Sequence, residues 1–185
     1  MRDSLKFLRK QIKLRVQGFD KLQEHMIIRL TEGFVRFTEM VGFCGNLVIK
    51  PQTEEIFIFV KKYGANTREE ARLAVEKMMA EGLKDNVGSL SGGERSISTV
   101  MLLMALWKTI PSPIRCIDEF DVFMDPHHKQ MATMGLLTYA ENEPKVQLCF
   151  LTPTGLSDSL KALKARFGDI FAVKQMVSAE RPEVE

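Results

Sequence analysis

A regular row of apolar residues over the first 41 positions is the feature that most constrains the fold. These residues recur at steps of three or four: Leu5, Leu8, Ile12, Val16, Phe19, Leu22, Met26, Leu30, Phe34, Phe37 and Val41. The spacing predicts one long helix carrying an apolar seam of heptad type. A single helix cannot bury its own seam. The seam therefore packs either on the rest of this chain or on a coiled-coil strand that lies outside the sequence.

Residues 42–185 alternate between short apolar strands and helical patterns, and we expect them to form one domain. The end of the long helix is predicted by three residues with turn chemistry: Gly42, Gly45 and Asn46. Two strands, Leu47–Ile49 and Ile56–Val60, are expected to follow as a hairpin or meander.

Helical patterns and two further strands complete the domain. Helices are predicted over Thr67–Lys84, Ser91–Ile110, Pro126–Ala140 and Leu156–Phe167. The Ser91–Ile110 segment is apolar on nearly all sides and is expected to be deeply buried. The strands Ile114–Ile117 and Val146–Leu151 flank one helix, a pattern typical of parallel strands with a crossover. A last strand is predicted over Ile170–Val177. The expected class is α/β, with a mostly parallel sheet flanked by helices.

Composition excludes several classes of protein. A hydrophobic fraction of 45% and a charged fraction of 27% are typical of a soluble globular chain. The longest apolar run, Val100–Trp107, is too short to span a bilayer, so no membrane partner is expected. The three cysteines show no CxxC spacing, which favours a reducing compartment, and Cys116 and Cys149 are expected to be small core residues.

The start of the chain is strongly basic. Six basic residues and a single acid, Asp3, lie between Arg2 and Arg15. One interpretation is a solvated helix face; the other is a contact with the DNA backbone through Arg9, Lys10 and Lys13.

The segment Leu90–Glu94, of sequence LSGGE, begins the predicted Ser91–Ile110 helix. Gly92 and Gly93 allow a ligand to approach the backbone closely. A helix N-terminus offers unpaired N–H groups and a partial positive charge, and Ser91 adds a hydroxyl, so the segment suits an anion. Taken alone, the segment is more typical of an ordinary helix cap.

Two carboxylates, Asp118 and Glu119, end the predicted strand Ile114–Ile117. At the C-terminal edge of a parallel strand they would face a ligand crevice. In nucleotide hydrolases such a pair holds Mg²⁺ through water and polarises the attacking water. Taken alone, the pair is more typical of an acidic loop after a strand.

Together these motifs resemble the C-terminal half of an ATP-binding-cassette (ABC) ATPase: LSGGE, a helix, a Walker B strand, and Asp125 seven residues after Asp118. The long helix before them narrows the resemblance to the structural maintenance of chromosomes (SMC) and SMC-like group. Within that group, the segment 120–125, Phe-Asp-Val-Phe-Met-Asp, is most similar to the sixth paralogue.

The resemblance implies a role for each matching residue. Ser91, Gly92 and Gly93 would contact the γ-phosphate of ATP held on an opposing head. Asp118 would support Mg²⁺ and Glu119 would be the catalytic base. Asp125 would be the aspartate of the D-loop, which communicates between heads. The switch position would fall near Pro153, with Thr152 just before it as the candidate.

The chain contains no G-x-x-x-x-G-K-[ST] segment, so the resemblance implies a partner lobe that carries the P-loop. It divides the chain into a coiled-coil neck, 1–41, and the C-terminal lobe of an ABC-type head, 42–185. The other implied partners are a second head (the fifth paralogue), a kleisin subunit at the neck, and DNA. The implied setting is the nucleus and chromosome, in double-strand-break repair by recombination.

Three alternatives remain open at this stage. A transporter ATPase would lack the coiled-coil entry and usually has a switch histidine. A related SMC-like repair ATPase disagrees with the segment 120–125. A half-head without its own P-loop could also serve as a non-enzymatic interaction module.

Overall fold

The computed structural model describes residues 2–63, 67–82, 86–153 and 157–174. The predicted long helix is confirmed as α1, Arg2–Met40. The helix ends at Met40, and Gly42 follows it with a φ of +76°, in the left-handed region that favours glycine. Only the last part of α1 packs on the domain, where it crosses α3 (Gly92–Thr109) and runs beside β1 (Phe43–Lys50).

An antiparallel hairpin follows α1, formed by β1 and β2 (Glu55–Lys62). The prediction that Gly45 and Asn46 end the helix is wrong, because both residues pair within β1. Gly45 is needed there for a close approach: a Cβ at this position would lie 2.7 Å from the side chain of Thr38 on α1 and 2.8 Å from that of Phe34.

The second helix, α2 (Arg68–Ala80), covers one face of the hairpin with Ala71 and Val75. Thr67 caps it, with a reciprocal bond between Thr67 and Glu70. The predicted end at Lys84 is too late. The helix ends at Ala80, and Gly82 has a φ of +64°; Lys84 itself is outside the described residues.

The remaining elements follow the predicted order. They are α3, β3 (Ile114–Ile117), α4 (Pro126–Asn142), β4 (Gln147–Phe150) and α5 (Ser157–Phe167), with 3₁₀ turns at Val87–Ser89 and Gly168–Ile170. The strands β3 and β4 pair in parallel across the crossover helix α4, as predicted. Ile117 pairs with Phe150, so the C-terminal ends of both strands lie at the same edge.

The core lies where α1, α3 and α4 meet the two strand pairs. Its fully buried members include Phe34, Met101, Met104 and Leu136. Gly33 permits the crossing of α1 and α3, since a Cβ there would lie 3.4 Å from the Cβ of Ala105. The helix α3 is buried or partly buried on all sides from Val100 to Thr109, whereas Arg95 and Thr99 in its first half are exposed. The division of the chain at residue 41 stays a prediction.

The expectation that Cys116 and Cys149 are core residues is wrong, because both are exposed. Successive strand residues point to opposite faces of a sheet. Ile117, Leu148 and Phe150 pack on the core, and the cysteines lie on the outer face with Ile114, which is 60% exposed.

The predicted strand Ile170–Val177 is also wrong over its described part. Ile170 belongs to a 3₁₀ turn, and residues 171–174 have no regular structure. Phe171 packs on a small cluster formed by Leu137, Leu163 and Phe167 instead of pairing with a strand. Residues 175–177 are outside the described residues. In the described part of the chain, no helix combines the length and apolarity needed to cross a bilayer.

Candidate functional site

The N-terminus of α3 is built as a capping box. The hydroxyl oxygen of Ser91 accepts a hydrogen bond from the Glu94 N–H at 3.3 Å, and the Glu94 carboxylate accepts one from the Ser91 N–H at 3.0 Å. Ser91 and Gly92 are exposed. This arrangement fixes the first turn of a helix of 18 residues and presents its N-terminus to solvent. The ordinary cap and an exposed helix N-terminus therefore coexist in the same residues.

The two glycines of this segment have different surroundings. A Cβ on Gly92 would be 4.0 Å from the nearest atom, the backbone oxygen of Phe123. A Cβ on Gly93 would be only 2.9 Å from Nδ1 of His128. Gly92 therefore has room for a ligand, whereas Gly93 is required by the histidine packed against it.

Asp118 and Glu119 lie directly after β3 and are exposed. The backbone of Glu119 has a φ of +50°, in the left-handed region that non-glycine residues rarely adopt. Its N–H donates to the Leu151 oxygen at 3.1 Å, which ties the end of β3 to the end of β4. Strained conformations of this kind cost about 1–3 kcal/mol and concentrate at functional sites.

The loop after Glu119 runs back towards the start of α3 and exposes apolar side chains. Val122 is 43% exposed and Phe123 is 78% exposed. Because the Phe123 oxygen lies beside Gly92, the two motifs that are 27 positions apart in sequence (91 and 118) belong to one surface. The structure thus brings the SGG segment and the loop 118–125 together.

Asp125 caps α4. One carboxylate oxygen accepts a hydrogen bond from the His128 N–H at 2.9 Å, and the other lies 2.6 Å from Nδ1 of His128. The backbone hydrogen bond from His128, followed by the bond to its side chain, holds the pKa of Asp125 below its usual range. Asp125 therefore has a structural role that sequence reasoning had not assigned.

Thr152 is joined to a buried ion pair. Its hydroxyl donates to Asp121, which is 1% exposed, and the Lys129 ammonium lies 2.7 Å from the same carboxylate. This network links the end of β4 to the loop after β3 and to α4. Arg9, Lys10 and Lys13 are not part of this site; they lie exposed on the N-terminal part of α1.

His128 is the functional candidate that sequence reasoning missed. His127 and His128 are adjacent in the sequence, and adjacent residues of a helix point to different faces. No group of three or more His, Cys, Asp or Glu residues in the described ranges could hold a metal ion. The signal that could have found His128 is its position three residues after a helix-capping aspartate, where the ring can reach back to the cap.

No family model matches the chain. Curated relatives do match it. The structural maintenance of chromosomes protein 6 of Schizosaccharomyces pombe is 33% identical over 149 residues, which are 80% of this chain and 12% of that protein. The human protein of the same name is 29% identical over 153 residues, 83% of this chain and 13% of that protein. The chain belongs to the SMC family. It spans about an eighth of the length of these relatives.

Solved SMC heads share the fold. The Smc head domain of Pyrococcus furiosus with an extended coiled coil, bound to the C-terminal domain of ScpA, matches 85% of this SMC chain with a TM-score of 0.52 and 17% identity, over 34% of that chain. A structure from work on ATP-driven dimerization and DNA-stimulated activation of SMC ATPases matches 77% of this chain and 76% of that one, with a TM-score of 0.52 and 15% identity. The predicted α/β class and the resemblance to the C-terminal part of the sixth SMC head are confirmed.

Proposed function

We propose that this chain supplies the C-terminal half of an SMC head that binds ATP and Mg²⁺ and hydrolyses ATP with a partner lobe and a partner head. The observation that carries the proposal is the backbone of Glu119. A glutamate held at φ +50° at the C-terminal end of a parallel strand costs stability, and its exposed carboxylate suits a base that activates water.

Asp118 is the residue that would hold Mg²⁺. Its exposed carboxylate offers the oxygen ligands that this ion prefers, so the donor chemistry fits. When bound with the nucleotide, Mg²⁺ would neutralise charge on the phosphates. Glu119, the next residue, would accept the proton of the attacking water. Thr152, joined to Asp121, would fix the switch position relative to this pair.

The segment Ser91–Gly93 would complete the nucleotide site of the second head, for which the fifth paralogue is the proposed partner. The N-terminus of α3, with its N–H groups and partial positive charge, suits the γ-phosphate. The exposed side chains of Val122 and Phe123 beside it supply apolar area for a head-to-head contact, and Asp125 at the end of that loop would take part in it.

The proposed N-terminal P-loop lobe would cover the outer face of β3 and β4. That face exposes Ile114, Cys116 and Cys149, and Leu151 just beyond β4 is 47% exposed. Strands of parallel sheets are usually covered on both faces, so an exposed apolar face on this pair supports a missing layer.

Two variants that separate ATP hydrolysis from head dimerization test this function. With the P-loop lobe and partner head supplied, Glu119→Gln is expected to slow hydrolysis by roughly 10²–10⁴-fold while ATP-driven head dimerization is kept. Ser91→Arg is expected to abolish dimerization, because a long cationic side chain would fill the phosphate site. Hydrolysis is measured by phosphate release and dimerization by sedimentation. Loss of dimerization in Glu119→Gln would show that the assignment of roles is wrong.

The neck suggests the further partners. Its seam from Leu5 to Met26 is exposed, which supports docking of a coiled-coil strand and of a kleisin subunit.

We also propose a DNA-backbone contact through the exposed Arg9, Lys10 and Lys13. The proposed setting is the chromosome in the nucleus, and the proposed role is DNA entrapment and double-strand-break repair. Replacing the three by Gln should weaken binding of duplex DNA and reduce its salt dependence, by about 0.9 in the log–log slope per lost phosphate contact. Unchanged affinity and slope would dismiss this contact.

A non-enzymatic interaction module is the second candidate, favoured by the lack of a P-loop motif in the 185 residues. Phosphate release is measured for the chain alone and with the P-loop lobe and partner head. Activity only in the reconstituted assembly supports the proposed half-head, and no activity in either supports the module.

A further inference from the structure

We propose that His128 is a positioning residue that couples the SGG segment to the loop 118–125 within one head. Through this contact, the nucleotide site that Ser91–Gly93 complete on the partner and the site that contains Asp118 and Glu119 would influence each other. The inference rests on the proposed function and adds to it a specific route between the two nucleotides.

The ring of His128 occupies the space that a side chain at position 93 would need. It is 7% exposed. A Cβ on Gly93 would lie 2.9 Å from Nδ1, 3.4 Å from Cγ and 3.5 Å from Cε1, so the ring leaves no room for a side chain at this position. The ring of Phe43, at the start of β1, packs beside it with a centroid separation of 6.4 Å. The position of His128 therefore determines the position of the first turn of α3.

The same ring is joined to the loop after Glu119. Nδ1 lies 2.6 Å from one carboxylate oxygen of Asp125, and the other oxygen accepts the His128 backbone N–H. With Nδ1 as the donor, the ring orientation is fixed by Asp125. Nε2 is buried and has no hydrogen-bond partner among the described residues, which is uncommon for a buried polar atom. An apolar ring would fill this space without leaving a buried nitrogen unpaired, so the contact with Asp125 explains why the residue is a histidine.

A movement of Asp125 would be transmitted through the His128 ring to Gly93, and a movement of Gly93 would be transmitted to Asp125. Packed protein interiors resist compression, so a shift of Asp125 towards a partner head would move the ring and with it Gly93. In the reverse direction, phosphate binding at Ser91–Gly93 would press on the ring and alter the loop that begins at Glu119. His128 thus joins two sites that belong to different nucleotides.

A double-mutant cycle in the assembled, ATP-hydrolysing pair of heads tests the coupling. Gly93→Ala is expected to lower ATP-driven dimerization by about 10-fold, because the new methyl meets the ring. In a His128→Ala background the same change should cost less than about 3-fold, since coupling energies between contacting residues commonly reach this size. His128→Ala alone should lower the hydrolysis rate of the dimerized heads while ATP affinity stays unchanged.

Two further variants separate positioning from simple packing. His128→Asn keeps a nitrogen near the place of Nδ1, so it should restore a large part of the hydrolysis rate that His128→Ala loses. His127→Ala, at the exposed neighbouring histidine, is the matched control and should behave as the unmodified chain. Circular dichroism of each variant verifies folding, and His128→Asn carries the test if Gly93→Ala does not fold.

The outcomes distinguish this inference from the function on which it rests. Unmodified heads that neither dimerize with ATP nor hydrolyse it would overturn the proposed function and the coupling together. Active unmodified heads in which the effects of Gly93→Ala and His128→Ala are additive would overturn the coupling alone. So would equal losses in His128→Asn and His128→Ala.

Discussion

The two parts of α1 carry the same apolar seam and have opposite surroundings. From Leu5 to Met26 the seam residues are between 42% and 62% exposed, whereas Leu30, Phe34, Phe37 and Val41 are at most 9% exposed. The spacing does not change at this boundary; what changes is that α3 and β1 lie across the helix. Heptad spacing therefore predicts which face of a helix is apolar, and tertiary structure decides whether this chain or another one covers it.

The first alternative, packing on the rest of this chain, holds for the C-terminal part of the helix, whereas a coiled-coil strand against the N-terminal part stays a prediction. The C-terminal part is an ordinary core helix, and the N-terminal part offers a long apolar stripe of the kind that marks interaction sites. Substitutions of matched residues in the two parts of α1 test whether their packing differs in solution.

The largest difference is expected between two phenylalanines of the seam. Phe34 is 0% exposed and Phe19 is 62% exposed. Phe34→Ala should lower the free energy of unfolding of the chain by about 3–5 kcal/mol, because it removes a ring from a close-packed core. Phe19→Ala should change it by less than about 0.5 kcal/mol. Urea unfolding measures both, and a similar loss in the two variants would show that the N-terminal part is packed in solution.

Glycines provide the second matched pair. A Cβ at Gly45 would meet Thr38 and Phe34 at under 3 Å, whereas nothing lies within 4 Å of a Cβ at Gly18. Gly45→Ala should destabilise the chain by about 1–3 kcal/mol through overpacking. Gly18→Ala should raise helix stability by up to about 1 kcal/mol. Thermal unfolding followed at 222 nm by circular dichroism gives both effects, and their opposite signs are the critical result.

The smallest effect on stability is expected for charges placed on the exposed seam. Ile12→Lys and Leu22→Lys should leave the free energy of unfolding within about 0.5 kcal/mol of its original value. They should nevertheless reduce self-association or coiled-coil pairing, since a lysine at a seam position opposes helix pairing. Sedimentation of the chain at increasing concentration measures this. Unaltered association would argue that the seam has no helical partner.

The sequence was sufficient for most elements because their signals are local. The starts of α2 and α3 near Thr67 and Ser91, the crossover between β3 and β4, and the apolar seam of α1 all follow from patterns of a few residues. The errors at Gly45 and at the two strand cysteines arise from contacts between distant segments. Gly45 looks like a helix terminator in sequence, but it allows a strand to lie against a helix.

The same limit applies to the candidate site. The residue types of Ser91, Asp118 and Glu119 suggest chemistry on their own. The contact of His128 with Gly93 joins residues 35 positions apart and depends on how α4 packs beside α3, which no local pattern specifies. Period-two alternation likewise shows that Cys116 and Ile117 face opposite ways, but not which face the core covers.

The cysteines on the outer face of β3 and β4 would show by their reactivity whether another lobe covers these strands. Cys116 and Cys149 are register partners and exposed, whereas Cys44 is buried and its burial raises the pKa of the Cys44 thiol. An alkylating reagent should therefore modify the first two rapidly and the third only on unfolding. A lobe that closes over the strands would protect the first two, so labelling kinetics would follow docking without any added probe. Because Cys116 and Cys149 are exposed, purification without a reductant would allow them to form disulfides between separate molecules.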